Sequence, residues 1–192
     1  MSRLPLQRDV RRNLTPEDRR KERQAYSISV ALLIVVLILT YTLPDDVLTR
    51  YPGLYRAIQA AGAVIPSIQR FGRLSTFPQV AQVVYALEVI AVPFLATLYI
   101  RSFKFDVSGM SSARLRAVVA IPFSLVLVLG MLTYIPGNPD GLAWSARISR
   151  SLVGSRLGFV FWSVVLTGSM AASVAVFIGW AKTFPIVFGS RR

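Results

Sequence analysis

The sequence predicts an all-α polytopic membrane protein of four transmembrane helices, with an amphipathic helix in its first outer loop. Two observations carry that expectation. Of the 192 residues, 54% are hydrophobic and the mean hydropathy is +0.54, more apolar than an ordinary soluble domain. The charged residues, only 16% of the chain, crowd into a few stretches between long apolar runs, as expected when spans alternate with solvated connections. Those connections are too short to fold alone. The spacing therefore predicts one membrane domain over 25–180, a basic arm over 1–24 and a short tail over 181–192.

The arm holds eight Lys and Arg, among them Arg19, Arg20, Lys21 and Arg23, and almost no apolar content. Thr15-Pro16-Glu17-Asp18 is a helix start: a hydroxyl cap, a proline in the first turn, then two acids near the positive end of the helix dipole. A helix begun there can run directly into the first span, about 25–43. That span contains an uncharged run from Val30 to Leu39, flanked by Tyr26 and Tyr41 at interface positions, and its length suffices to cross about 30 Å of hydrocarbon. The run is long for a cleaved signal peptide, and no small-x-small site precedes Pro44.

The outer loop, 44–80, is long enough to need structure of its own. Leu54, Ile58, Ala61, Ile65 and Ile68 recur at spacings of four, three, four and three, which aligns them on one helical face. The pattern predicts an interfacial helix bent at Pro66; a re-entrant hairpin is the weaker alternative, since the apolar stretch is too short to cross. Asp45 and Asp46 follow Pro44 as a solvated helix-start pair. The second span, about 81–100, carries Glu88 and Pro93; the third, about 117–135, carries Pro122; the fourth covers about 157–180. The last loop opens with the turn cluster Pro136-Gly137-Asn138-Pro139-Asp140-Gly141.

Topology follows from Lys and Arg counts. The arm, the central loop (Arg101, Lys104, Arg114 and Arg116) and the tail hold eight, four and three; the other two loops hold four and three. This bias places both termini in the cytoplasm, with a bacterial inner membrane as the expected location. The net charge of +13 is then explained by topology and by anionic lipid headgroups, at which Arg19, Arg20, Lys21, Arg23, Arg101, Lys104, Arg114 and Arg116 are placed, and not by nucleic acid.

The absence of Cys and His excludes disulfides, thiolate chemistry, Cys/His zinc sites and histidine-ligated haem. Asp140-Gly141, Ala146-Arg147 and Gly154 superficially resemble the pattern of the CDP-alcohol phosphatidyltransferases, but the Ala-Arg is displaced and both downstream aspartates are missing. No glycine-rich nucleotide motif occurs. No catalytic residue, metal or cofactor is expected.

Glu88 is the one ionisable residue within a predicted span. It is expected either to bond a Tyr, Ser or Thr of a neighbouring helix or partner, to pair with Arg156 or Arg73 at the outer edge, or to handle a proton or cation. Gly168, Ala171, Ala172, Ala175 and Gly179 place small residues three and four apart on the fourth span, a surface for another helix of this chain or of a partner. Few polar groups in the spans, this small-residue face and a structured outer loop together point to an accessory, assembly or scaffold subunit of a larger membrane complex, with a hetero-complex expected over a homo-oligomer. The alternatives are a small oligomeric channel or transporter using Glu88, and a membrane immunity protein directed against a toxin.

Overall fold

The computed structural model describes residues 16–102, 110–137, 139–140 and 144–188. Eight helices follow one another there: α1 (Pro16–Thr42), α2 (Val47–Arg50), α3 (Pro52–Val64), α4 (Pro66–Leu74), α5 (Pro78–Ser102), α6 (Met110–Tyr134), α7 (Trp144–Gly154) and α8 (Arg156–Phe188). No strand occurs among the described residues. α1, α5, α6 and α8 are each long and apolar enough to cross a membrane. Their outward faces carry side chains that water would not tolerate in such density, such as Ile38, Ile90, Phe94, Val118 and Val126.

α8 is the centre of the bundle. It packs against α1, α5, α6 and α7, whereas α6 leans chiefly on α8 and on α4. Ala171 and Ala175 of α8 are wholly buried. Having no side chain beyond Cβ, they let neighbouring backbones approach. Val92, Leu95 and Ala96 of α5 cluster with Met170 and Ala171, and Val128, Met131 and Leu132 of α6 pack onto that cluster. Nearer the other end, Trp180 of α8 packs with Ala117, Ala120 and Ile121 of α6.

The two ends of the bundle differ. Arg101, Arg114, Arg116 and Lys182 lie at the helix termini of one end, hereafter the basic end. The opposite end is covered by α2, α3, α4 and α7. Prolines build this cap. Pro52, Pro66 and Pro78 each open a helix, where a missing N–H costs nothing and the fixed φ is already helical. The residue before a proline is pushed out of the helical region: Tyr51 and Ile65 both sit at φ −121°, with ψ 85° and 88°.

The single bent helix expected across Pro66 is thus two helices, with the short α2 before them. The predicted apolar face is nonetheless the packed one: Ile58 and Ile68 are core residues, and Leu54, Ala61 and Ile65 pack against that core. α4 does more than lie on a surface, since Ser67, Ile68 and Phe71 are buried, and Phe71 meets Tyr85 at 4.6 Å and Phe159 at 5.5 Å between ring centroids.

Other boundaries also differ from expectation. The last loop contains α7, which the Gly/Pro cluster at its start obscured. α8 continues past Trp180 to Phe188, so most of the expected tail is helix. α1 is continuous from the basic arm into the first span, with Lys21 and Glu17 paired at 2.7 Å on its exposed surface. Thr15, Lys104, Asn138 and Gly141 lie outside the described residues.

Candidate functional site

Two polar constellations stand out among the described residues. The first surrounds Glu88. Ten residues into α5, it lies roughly 15 Å along the helix from Pro78 at ~1.5 Å per residue, and its side chain is buried with 1% exposure. Ser163 Oγ donates to its Oε1 at 2.8 Å, and Thr167 Oγ1 donates to its Oε2 at 3.0 Å. Ser163 and Thr167 are four residues apart on α8, hence on one face of that helix, and both are buried. Each carboxyl oxygen therefore has its own hydroxyl, and the interaction joins α5 to α8, one of the two most extensively packed helix pairs.

The hydroxyl partner anticipated for Glu88 is present; the arginine partner is not. Arg156, at the start of α8, instead donates to the Thr40 carbonyl and to Asp45 Oδ1 at the cap end, with its guanidinium 5.8 Å from the Phe77 ring centre. Arg73 lies exposed at the end of α4. Asp45 is thus one arm of an interhelical clasp, while Asp46 takes Arg50 Nε at 2.8 Å within one helical turn. That hydrogen bond holds the Asp46 carboxyl below its ordinary range.

The second constellation is the cap itself, where helix ends are satisfied by side chains from other elements. The last four carbonyls of any helix lack an intrahelical donor. At the end of α6, the Met131 carbonyl accepts Ser67 Oγ at 2.7 Å and Tyr85 Oη at 3.2 Å, and just beyond it the Pro136 carbonyl accepts Arg70 Nε at 3.0 Å. At the end of α7, the Val153 carbonyl accepts the Thr76 amide at 2.8 Å and Thr76 Oγ1 at 3.1 Å. At the start of α2, where Asp46 makes no side-chain cap, Gln79 Oε1 of α5 accepts the amides of Leu48 at 2.7 Å and Thr49 at 3.2 Å. No buried side-chain polar atom is left without a partner among the described residues.

Beside this network an open crevice of about 490 Å³ is lined by Leu48, Thr49, Pro52, Tyr55, Gly72, Pro78, Gln79 and Gln82. A Cβ on Gly72 would lie 2.3 Å from the Gln82 amide nitrogen, so the Gln82 side-chain amide rests directly over the glycine where α4 meets α5.

The small residues of α8 are distributed differently from one another. Ala171, Ala175 and Gly179 are buried; Gly168 and Ala172 are partly exposed. A Cβ on Gly168 would sit 4.0 Å from Tyr99 Oη of α5, and that hydroxyl also meets Ser29 Oγ of α1 at 3.3 Å. Of the basic residues placed at headgroups, Arg19, Arg20, Lys21, Arg23, Arg101, Arg114 and Arg116 are exposed at one end of the bundle. The residues that sequence reasoning did not single out are Ser163, Thr167, Gln79 and Ser67. For the first pair a partial signal existed, two hydroxyls four residues apart, though Ser169 and Ser173 on the same helix share that spacing; Gln79 and Ser67 gave none, because their partners lie far away in sequence. The chain matches no protein-family model, no curated protein and no solved structure.

Proposed function

We propose that this chain is an accessory, assembly or scaffold subunit of a larger membrane-protein complex, acting by binding and not by catalysis. We place it in a bacterial inner membrane with both termini in the cytoplasm and the cap on the outer side, as the distribution of Lys and Arg favours. The observation that carries the proposal is the position of α6. Only 11% of its apolar window is buried, and its exposed side includes Val118, Leu125 and Leu129, which leaves a partner's transmembrane helix a long face to pack against by van der Waals contact. On the cap, Tyr51 and Tyr55 are exposed next to the crevice, amphipathic anchors of the type enriched at interfaces.

Mild-detergent purification of the tagged protein from its native membrane, followed by mass spectrometry, tests this reading. A large partner in near-stoichiometric amount is expected. A monodisperse, partnerless protein that conducts solute in liposomes would overturn it. The flux reading has one observation in its favour, the four side-chain oxygens of Glu88, Ser163 and Thr167 gathered inside the bundle; on that reading Glu88→Gln abolishes flux and leaves assembly intact.

A further inference from the structure

The basic end carries an apolar groove between α6 and α8 that the packing of the bundle leaves open. Its volume is about 490 Å³, and its lining is Leu115, Val119, Ala120, Phe123 and Trp180, with Arg116 as the one charged member. The groove extends from Arg116 to Phe123, roughly 10 Å along α6 at ~1.5 Å per residue. It therefore starts at the charged end of a helix long enough to span and descends into the apolar part. The walls come from two helices already fixed to each other, since Trp180 packs on Ala117 and Ala120. Arg116 lies at its mouth, and the neighbouring Arg114 stands with its guanidinium 5.9 Å from the Phe188 ring centre.

We infer that this groove is a binding site for one anionic phospholipid, an acyl chain lying against Val119, Ala120 and Phe123 and the headgroup phosphate held by Arg116. The chemistry selects this occupant over a protein segment. The walls offer an apolar ligand nothing to hydrogen-bond below the mouth, whereas the mouth offers a planar guanidinium suited to a phosphate. Trp180, packed on Ala117 next to Arg116, is the kind of residue that accompanies a headgroup. The inference rests on the membrane reading alone and holds whether or not a protein partner is found.

The test uses the full chain in detergent, with phosphatidylglycerol or phosphatidylcholine added in equal amounts and retention of one lipid per protein read by native mass spectrometry. Phosphatidylglycerol is expected to be retained and phosphatidylcholine lost. Arg116→Gln should weaken retention about fivefold, the effect of one basic side chain near an anionic headgroup. Val119→Trp should weaken it by at least as much, since it fills the groove from a position 59% exposed, where a larger side chain leaves the core undisturbed. Arg56→Gln, on α3 at the opposite end, should change nothing. The inference is overturned if both lipids are retained equally, if Arg56→Gln weakens binding as much as Arg116→Gln, or if Val119→Trp has no effect.

Discussion

At the scale of single residues, Glu88 shows how a buried polar group is tolerated in an apolar bundle. Removing its donors and removing the carboxyl itself have different consequences. Ser163→Ala with Thr167→Ala leaves a carboxyl with unmet hydrogen-bonding capacity and should cost about 1–3 kcal/mol. Adding Glu88→Leu removes the group that needs those donors and should recover much of the loss. Thermal unfolding in detergent measures both steps, and a triple variant no more stable than the double one would show that the hydroxyls do not satisfy Glu88. From sequence, the position of Glu88 inside a span was legible, and so was the kind of partner it needs. Which partner was not, because Arg156 and Ser163 both lie near the start of the fourth span. The choice depends on helix rotation: Ser163 and Thr167 face α5, while Arg156 reaches the end of α1.

Elements join through their ends. Met131 has two donors on its carbonyl, from α4 and from α5, so Ser67→Ala or Tyr85→Phe alone leaves one in place. Together they orphan it. A double-mutant cycle should therefore give a coupling of about 0.5–3 kcal/mol, with the double variant worse than the sum of the single ones; strict additivity would mean that the two hydroxyls act on separate acceptors. The prolines explain what the sequence revealed of this region and what it hid. Periodicity picked out residues that do pack, since Ile58 and Ile68 belong to the core and Leu54, Ala61 and Ile65 lie against it. It missed that Pro52 and Pro78 play the same part as Pro66, each as the first residue of a new helix. α7 was missed for another reason: its eleven residues mix six arginine, serine or glycine positions with five apolar ones directly after a Gly/Pro turn cluster, and its partner is the adjoining α8.

For the whole molecule, length and hydropathy sufficed to locate four helices long and apolar enough to span a membrane, since those properties reside in the sequence itself. They could not reveal that α8 is the hub or that α6 is nearly peripheral, which depends on where small side chains permit close approach. The two unlike ends yield a direct test of the four-span reading. The chain has no cysteine, so single replacements can be labelled without background. Tyr55→Cys and Lys182→Cys, both at exposed positions, should react with a membrane-impermeant maleimide from opposite sides of sealed vesicles, and Val126→Cys should not react from either. Labelling of Tyr55→Cys and Lys182→Cys from the same side would rule out an arrangement in which the cap and the basic end face opposite compartments.

The central place of α8 has a consequence for how the protein is made. A ribosome delivers α1, α5 and α6 before it delivers the helix that all three lean on, so these segments must wait in the membrane without their common neighbour. During that interval Glu88 is deprived of Ser163 and Thr167, and the end of α1 lacks Arg156. The nascent chain is thus most vulnerable to quality-control proteases just before α8 emerges. A chain stopped at residue 155 should be degraded within minutes in a pulse-chase experiment, and supplying 156–192 as a separate polypeptide should prolong its life.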